Sequence, residues 1–233
     1  MNPDISIIIP AFNEEGNIPS LIESLTNMIE AEKWNAEIVV VDDNSNDLTG
    51  KLSDEISEKN KYVRVIHRVQ GNNGMGFALI DGTRSAKGKY VIWTMADKSD
   101  RIETFPRILD KLKQGYDMVF GSRYMKGGSR GQLDPLKAFY SASFTNVCRL
   151  FGIKVHDITN AFRGFRKEIF EKIRPRCGDF AISPEFAIRA HLKGYKLGEV
   201  PTSYNFRKEG LPKFKIAKMC IRYSKQLGLF FRR

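Results

Sequence analysis

Two carboxylates and a hydroxyl follow an apolar run in the segment MADKSD, residues 95–100. Oxygen ligands at the end of a strand suit a hard divalent ion such as Mg²⁺. A pair of aspartates one residue apart would hold such an ion against a diphosphate, but Met95 occupies the first of these two positions and Asp97 the second. The segment is therefore a metal site with an altered set of ligands, or a polar loop that caps the next helix.

A second acidic pair, Asp42 and Asp43, ends the apolar run EIVVV. Consecutive side chains of a strand point to opposite faces, so we expect one carboxylate to face a site while the other caps a helix or packs against a loop. Carboxylates at such an edge suit ribose hydroxyls and the amides of a base. The chain has neither a Walker A loop nor a GxGxxG sequence, and the glycines of NGMG, residues 73–76, suit tight packing better than a phosphate site.

Five short runs rich in β-branched residues predict strands at Ser6–Pro10, Glu37–Asp43, Tyr62–His67, Lys89–Met95 and Asp117–Ser122. Helix-length segments alternate with them, at Asn17–Ala31, Asp47–Glu58, Gly74–Ala86 and Glu103–Lys113. This alternation predicts an α/β fold with a mostly parallel, doubly wound sheet flanked by helices. Ligands bind beyond the carboxyl ends of strands in such sheets, which selects the loops AFNEE, DDNSND, MADKSD and GSRY.

The alternation ends after Tyr124, at the basic, glycine-rich loop KGGSRGQLDP. Beyond it we predict helices at Leu136–Leu150 and Ser183–Lys193, and strands at Asn160–Phe165, Lys196–Val200 and Ser203–Phe206. No internal repeat and no Pro- or Ser-rich linker is present. One domain is therefore expected.

Charge is distributed unevenly along the chain. The net charge is +11, yet residues 1–116 carry 14 Lys+Arg against 18 Asp+Glu, whereas residues 117–233 carry 24 against 9. The second half is thus expected to bind an anionic partner, which could be nucleic acid, anionic lipid headgroups or a phosphorylated substrate.

No stretch of the sequence approaches the roughly 20 apolar residues of a membrane span. Three cysteines without CxxC spacing favour a reducing cytoplasm.

The segments SIIIPAFNEE, EIVVVDDNSND, GNNGMGFALIDGTRSAKGKYVIWTMAD and GSRY, in this order, resemble the donor-binding half of family 2 glycosyltransferases with the GT-A fold. DITNAFRGFRKEIF and GYKLGEVPTSYNFRKEG extend the resemblance, from residue 5 to about 215, to the polyprenyl-phosphate branch typified by dolichol-phosphate mannose synthases. The resemblance implies inverting transfer of a sugar from a nucleotide diphosphate, GDP-mannose or a UDP-hexose, to a polyprenyl or dolichyl phosphate. It also implies a catalytic domain over residues 1–212, with a nucleotide-sugar-binding half, 1–124, and an acceptor half, 125–212.

Carried over to matching positions, the resemblance assigns the base and ribose pocket to Pro10, Phe12, Glu14, Val41 and Asp43. Phe12 stands where the family usually has Tyr, so stacking is retained and a hydroxyl contact is lost.

At the acidic segment the family usually has two aspartates flanking Ala96, and here only Asp97 matches. Ser99 falls where relatives place another oxygen ligand. Since Mg²⁺ often takes only one or two protein carboxylates, we predict that Asp97 is the essential ligand of Mg²⁺ or Mn²⁺, with Ser99 or Asp100 assisting directly or through water.

Arg123 in GSRY and two later residues, Arg207 and Lys213, match cationic positions that such enzymes use on the donor diphosphate and the acceptor phosphate. Guanidinium groups offset the repulsion between two phosphate-bearing substrates and the charge that develops on the leaving group. The predicted catalytic residues are Asp97, Arg123 and Arg207, with Lys208 and Arg130 as further candidate cations.

In NAFRGFR, Arg163 and Arg166 alternate with Phe162 and Phe165 across a predicted strand, so that one face of the strand could carry cations while the other packs. That face would carry cations toward the acceptor, so Arg163 joins the predicted substrate-binding residues. Asp157 is expected to orient one of these two arginines or to cap a turn.

An acceptor phosphate needs no general base, because its second pKa of about 6 leaves it largely ionised near neutral pH. Alignment and stabilisation of the leaving group then do most of the work. A hydroxyl acceptor would require a carboxylate base, for which Glu185 is the candidate, although an acid in a first helical turn commonly just pairs with the helix dipole. His67, His156 and His191 lack metal spacing, and we assign them no role.

The chain ends in a basic amphipathic pattern over residues 213–233. Lys215, Lys218, Arg222 and Lys225 follow one helical stripe, and Ile216, Cys220, Tyr223, Leu227 and Phe231 follow the opposite one. Such a helix lies in the headgroup layer of a membrane, or packs on the sheet with a solvated basic face. A polyprenyl acceptor favours the membrane, so we predict a peripheral enzyme on the cytoplasmic face; relatives often carry membrane spans after this point, which suggests an anchoring partner protein.

Two alternatives remain open. The enzyme would transfer sugar to a saccharide hydroxyl in surface-glycan synthesis, or the chain would be an inactive nucleotide- or nucleic-acid-binding homologue. Nucleic acid is disfavoured as a partner because the cations do not interleave with a recognisable binding motif.

Overall fold

Seven strands form one sheet in the computed structural model, which describes residues 2–205 and 216–231. They are β1 (Ile5–Ala11), β2 (Ala36–Asp42), β3 (Val63–His67), β4 (Tyr90–Trp93), β5 (Met118–Ser122), β6 (Arg163–Arg166) and β7 (Leu197–Pro201). Their order across the sheet is β3-β2-β1-β4-β6-β5-β7. β6 runs antiparallel to β4 and β5, and the other pairs are parallel. The mostly parallel, doubly wound sheet predicted from the sequence is confirmed.

Helices cover both faces of this sheet. They are α1 (Ile18–Ala31), α2 (Thr49–Lys59), α3 (Met75–Ser85), α4 (Phe105–Lys113), α5 (Pro135–Leu150), α6 (Lys167–Ile173), α7 (Ile182–Leu192) and α8 (Ile216–Leu227). Short 3₁₀ turns precede α4, at Ile102–Thr104, and follow α8, at Gly228–Phe231. α6 was not predicted. The strand predicted at Ser203–Phe206 is reduced to a single bridge between Ser203 and Ser129, and Phe206 lies outside the described residues.

The central strands are apolar throughout because both of their faces are buried. Ile7 and Ile9 of β1 join one core layer with Leu21 and Leu25 of α1, whereas Ile8 joins the opposite layer with Trp93. Successive side chains of one strand thus supply two separate layers. This packing fixes the carboxyl ends of β1, β2 and β4 beside one another.

Helix α3 lies unusually close to the sheet at Gly82. A Cβ atom there would stand 2.5 Å from Ile8 Cγ2 and 2.8 Å from Val41 Cγ2. At the start of the same helix, Gly76 N–H donates to Gly178 O at 2.9 Å, and a Cβ on Gly76 would meet Cys177 O at 2.2 Å. The NGMG glycines therefore serve tight packing, as the sequence favoured, and they hold the 177–180 loop against α3.

Helix α8 packs on α5 and α7 through part of its apolar stripe. Met219 and Tyr223 are buried, and the ring of Tyr223 lies 5.3 Å from that of Phe144. From the predicted basic stripe, Arg222 forms an ion pair with Asp179 at 2.7 Å. Ile221 and Phe231 remain exposed. Within the described residues, no helix combines the length and apolar character needed to cross a membrane.

Candidate functional site

The four loops selected from the sequence meet at one cavity of about 960 Å³. From these loops and from Pro10 just before the first of them, it is lined by Pro10, Ala11, Phe12, Glu14, Asp43, Asn44, Met95, Ala96, Asp97, Ser99, Asp100 and Arg123. The cavity lies at the carboxyl ends of the parallel strands, where β1 is flanked by β2 on one side and β4 on the other. This is the topological switch point at which doubly wound sheets bind their ligands.

The loop after β1 is held rigid by the loop after β2. Glu14 N–H donates to Thr49 Oγ1 at 2.7 Å, and Glu14 Oε2 accepts from Asn17 Nδ2 at 2.9 Å. Asn13, which directly precedes Glu14, adopts a left-handed conformation with φ of 52°. Phe12 lines the cavity and keeps 40% of its surface exposed.

The acidic pair at the end of β2 divides as the sequence suggested. Asp43 lines the cavity and accepts hydrogen bonds from Gly74 N–H at 2.6 Å, from Asn73 Nδ2 at 3.1 Å and from Arg68. Asp42 turns away: it accepts from Ser45 N–H at 3.1 Å and lies 3.2 Å from His67 Nδ1. Asp43 is therefore the carboxylate of this pair that a ligand in the cavity can reach.

The acidic segment after β4 forms a tight turn. Asp97 Oδ1 accepts from Ser99 N–H at 3.0 Å, and Lys98 adopts a left-handed conformation with φ of 58°. Asp100 reaches back to the strand end, where its Oδ2 accepts from Met95 N–H at 2.9 Å and from Thr94 Oγ1 at 3.2 Å. Burial raises the pKa of Asp100 to about 7; the negative charge of Asp97 adds to this effect and the bond from Met95 opposes it.

These residues fit a hard divalent ion. Two carboxylates share a buried turn, and burial together with the charge of Asp97 raises the pKa of Asp100, so a bound cation would stabilise its ionised form. No group of three or more His, Cys, Asp or Glu side chains is arranged for metal binding within residues 2–205 and 216–231. A cation here would accordingly need oxygens from a ligand and from water, which is common for Mg²⁺.

Arg123 is the cation that the structure fixes most firmly at the cavity. Its Nε and Nη2 bind the two carboxylate oxygens of Asp157 at 2.7 and 3.0 Å, and its backbone N–H donates to the same side chain at 3.1 Å. Burial lowers the pKa of Arg123, but the carboxylate of fully buried Asp157 outweighs it, so the pKa lies above its ordinary range. The arginine that Asp157 orients is thus Arg123, not Arg163 or Arg166; the alternative prediction of a turn role is confirmed, because Asp157 Oδ1 also accepts from Asn160 N–H at 3.3 Å.

Arg163 does not reach the cavity. Its side chain is fully buried, and the guanidinium donates to Ser183 O at 2.9 Å, to Ile158 O at 3.1 Å and to Asn160 O. It also lies over the Phe120 ring at 4.6 Å. The assignment of Arg163 to substrate binding is therefore corrected: this arginine ties together backbone carbonyls inside the core.

Three other sequence assignments also change. Val41 is fully buried in the core beside Gly82 instead of lining the cavity. Arg166 lies near Asp117 and pairs with Tyr90 at the amino end of β4, whereas the cavity lies at the carboxyl ends of the parallel strands. Arg130 is exposed outside the cavity lining. Arg207, Lys208 and Lys213 lie outside the described residues.

The remaining candidate acid and the histidines have structural partners. Glu185 is buried away from the cavity, where Oε2 accepts from Arg176 and Cys177 N–H at 2.9 and 2.7 Å and Oε1 accepts from Arg189 at 2.9 Å. His67 lies against Asp42 and Asp54, His156 against Glu199, and His191 against Phe151 O. None of these four side chains belongs to the cavity lining.

Several cavity-lining residues that follow Arg123 in the chain were not predicted from the sequence, among them Gln132, Leu133, Lys137, Ser141, Asp179, Phe180, Tyr204 and Tyr223. Lys137 and Ser141 of α5 are four residues apart, which places both on one face of the helix. That spacing was readable from the sequence. Nothing in the sequence indicated that this face of α5 is the one that lines the cavity.

The doubly wound sheet, with an acidic turn and a fixed arginine at its switch point, has the architecture of the GT-A fold of glycosyltransferases. A glucosyl-3-phosphoglycerate synthase from Mycobacterium tuberculosis, solved with Mn²⁺, UDP-glucose and phosphoglyceric acid, has the same fold: the TM-score is 0.77 at 18% identity, over 98% of this chain and 79% of that one. Residues 6–174 match the family model of glycosyl transferase family 2, and the chain belongs to this family.

Two curated relatives are similar over most of the chain. One is a dolichol-phosphate mannosyltransferase from Pyrococcus furiosus, 34% identical over 91% of this chain. The chain spans 59% of that protein's length. The other is a polyprenol monophosphomannose synthase from Mycolicibacterium smegmatis, 32% identical over 93% of this chain and 86% of its own length.

Proposed function

We propose that this domain transfers a sugar from a nucleotide diphosphate to the phosphate of a polyprenol, with inversion at the anomeric carbon. Mannose from GDP-mannose is the first candidate, in line with the names of the two curated relatives. The observation that carries the proposal is the Arg123–Asp157 pair, because it presents a permanently charged guanidinium to a cavity that also contains the acidic turn. Residues 1–124 would bind the donor and residues 125–212 the acceptor.

The acceptor side of the cavity favours a phosphate over a hydroxyl. Its carboxylates are engaged: Asp134 accepts from Lys137 N–H at 2.9 Å, and Asp179 binds Arg222 at 2.7 Å and Ala181 N–H at 3.0 Å. Glu185, the candidate base, lies elsewhere. Among the described residues, the cationic side chains that line the cavity are Arg123 and Lys137. Positive charge without a positioned base suits a nucleophile that is already ionised.

The reaction then needs little proton transfer. A phosphate oxygen of the acceptor forms a bond to the anomeric carbon while the bond from that carbon to the donor's diphosphate breaks on the opposite side, and the electron pair leaves with the diphosphate. Phe12 and Asp43 would hold the nucleoside, and Arg123 would offset the negative charge of the two phosphate groups. A divalent ion bound by Asp97, assisted by Ser99 or Asp100, would stabilise the charge of the departing diphosphate.

We further propose that the enzyme works as a peripheral protein on the cytoplasmic face of a membrane, held there with the help of an anchoring partner. Exposed apolar side chains on α5 support this, since Leu136, Phe139 and Tyr140 flank the cavity-lining Lys137. Exposed Ile221 and Phe231 follow at the end of the described chain. Apolar side chains beside a pocket that contains Arg123 and Lys137 suit a lipid whose phosphate enters the pocket while its chain stays in the bilayer.

A donor screen tests the proposal. Purified protein is incubated with radiolabelled GDP-mannose, UDP-glucose or UDP-N-acetylglucosamine, a short-chain polyprenyl phosphate and Mg²⁺ or Mn²⁺, and label is counted in the organic phase. We expect one donor to label the lipid. The control is Asp110→Ala, which alters an exposed carboxylate of α4 and should leave the rate unchanged. Absence of labelled lipid with every donor would refute the proposal.

A further inference from the structure

Arg68 lies next to the cavity-lining Asp43, outside the cavity lining itself, and connects three elements. Its Nη1 bonds to Asp43 Oδ1, its Nε donates to Asp81 Oδ2 at 2.7 Å, and its Nη2 donates to Asn72 O at 2.8 Å. The side chain is 12% exposed, and its guanidinium lies over the Phe77 ring at 5.8 Å. One residue thus joins the end of β2, helix α3 and the loop that follows β3.

The loop it holds is a wall of the cavity. Gln70, Asn73 and Gly74 line the cavity, and the loop closes on itself through Asn73 Oδ1, which accepts from Gly71 N–H at 3.0 Å. The loop's other end is fixed to Asp43, whose Oδ2 accepts from Gly74 N–H at 2.6 Å. Residues at both ends of this loop, Arg68 and Gly74, therefore bind the carboxylate of Asp43, and Arg68 does so from outside the cavity lining.

The hydrogen bonds on Asp43 leave limited room for a ligand. An ionised carboxylate accepts about four hydrogen bonds, two at each oxygen. Within the described part of the chain, Oδ1 accepts from Arg68 and Asn73, and Oδ2 accepts from Gly74. One acceptor position then remains on Oδ2. The donors on Oδ1 fix the orientation of the carboxylate, and this orientation determines the direction from which a ligand N–H or O–H can approach Oδ2.

We infer that Arg68 is a positioning residue for nucleoside recognition, which fixes Asp43 so that Oδ2 accepts one hydrogen bond from the base or ribose of the donor. It touches no substrate itself. The inference rests on the proposed use of a nucleotide donor and extends it, since it assigns the selection of the nucleoside to an arginine outside the cavity lining. The diphosphate would be bound by other groups.

Arg64, on β3 four residues before Arg68, offers a matched control. It is also a half-buried arginine held by a carboxylate, with Nε 2.7 Å from Glu37 Oε2, and it also bonds to a helix residue, Ser85. It stands outside the cavity lining. A loss of strand or helix anchoring alone would affect Arg64 and Arg68 variants alike.

Isothermal titration of the full chain with GDP, UDP and inorganic pyrophosphate, each with Mg²⁺, tests the inference. We expect Arg68→Gln to weaken the better-bound nucleotide by about 10-fold or more, because the carboxylate loses a charge-assisted partner. Pyrophosphate affinity should stay unchanged, and Arg68→Lys should restore part of the loss. Arg64→Gln should leave all three affinities unchanged.

A double-mutant cycle with Asp43→Asn separates positioning from general structure. If Arg68 acts through Asp43, the Arg68→Gln effect on nucleotide affinity should largely vanish in the Asp43→Asn background. Equal weakening of nucleotide and pyrophosphate, or additive effects in the cycle, would overturn the inference. If Arg68→Gln does not fold, Arg68→Lys in the same cycle decides. Wild-type protein that binds neither nucleotide would refute the proposed function as well, whereas intact nucleotide binding in the Arg68 variants would refute this inference alone.

Discussion

Met95 N–H donates to Asp100 Oδ2 at 2.9 Å, across the turn in which the first aspartate of the family's usual pair is missing. Asp100 is one of the two residues predicted to assist Asp97 as metal ligands, and one of its oxygens binds the backbone N–H of Met95. Asp97 in the same turn has its Oδ1 on Ser99 N–H. The two carboxylates thus support the turn while they line the cavity.

This arrangement predicts a strong effect of Asp97. Asp97→Ala should lower the rate of sugar transfer by about 100-fold or more, because the essential oxygen ligand of the metal is removed. Met95→Asp should leave transfer intact or tighten Mn²⁺ binding. Initial rates and Mn²⁺ titrations of the two variants measure both effects. Full activity of Asp97→Ala would show that the metal is bound elsewhere or is not used.

Asp100 should matter for stability as well as for the metal. Asp100→Ala removes the acceptor of the partly buried Met95 N–H, and we expect a loss of about 1–3 kcal/mol in the free energy of unfolding. Asp100→Asn retains a carbonyl oxygen at this place and should lose less. Urea denaturation of both variants gives the comparison. Equal losses would mean that the hydrogen bond to Met95 contributes little.

Arg163 and Arg123 should behave in opposite ways when each is replaced. Arg163→Met leaves buried carbonyls without hydrogen-bond donors, so it should reduce the free energy of unfolding by about 2–4 kcal/mol with no change in KM for the nucleotide sugar or the acceptor. Arg123→Lys keeps a cation but loses the fork on Asp157, and should lower kcat by at least about 10-fold. Denaturation and steady-state kinetics on both variants provide the test. A rise in KM for either substrate in Arg163→Met would contradict a purely structural role for this residue.

His67 should make stability depend on pH. The hydrogen bond that His67 Nε2 donates to Asp54 Oδ1 raises the pKa of His67; burial opposes this, and Asp42 adds to it. The stabilisation is complete below the unfolded-state pKa of about 6.5 and is lost as the pH rises through the higher folded-state pKa. His67→Gln should therefore lower the melting temperature more at about pH 6 than at about pH 9. In Asp54→Asn the difference between the two pH values should shrink; a pH-independent effect of His67→Gln would contradict the assignment.

The donor half was predictable because each central strand is an apolar run that ends in polar residues. β1 and β2 were predicted to within one residue at each end, and the rule on carboxyl ends then brought Phe12, Asp43 and Asp97 to one cavity.

Helix α6, which was not predicted, follows β6 without a break and has only seven residues. So short a segment shows too little periodicity to be recognised.

The partners of the arginines were not predictable, because they depend on contacts between distant parts of the chain. Arg123 and Asp157 are separated by 34 positions, and Arg68 and Asp43 by 25. Arg163 alternates with Phe162 in the sequence as an exposed strand residue would, yet both are fully buried. An arginine can be buried when its donors meet carbonyls and its plane lies on an aromatic ring, and neither condition is visible in a local pattern.

Transfer to a short-chain polyprenyl phosphate, measured beside transfer to the corresponding polyprenol, tests the central claim most directly. Both acceptors are offered to the same protein with the same labelled nucleotide sugar and Mg²⁺ or Mn²⁺. The account predicts labelled product from the phosphate alone, with the anomeric configuration inverted relative to the donor. Product from the polyprenol or from saccharide hydroxyls, with none from the phosphate, would contradict it.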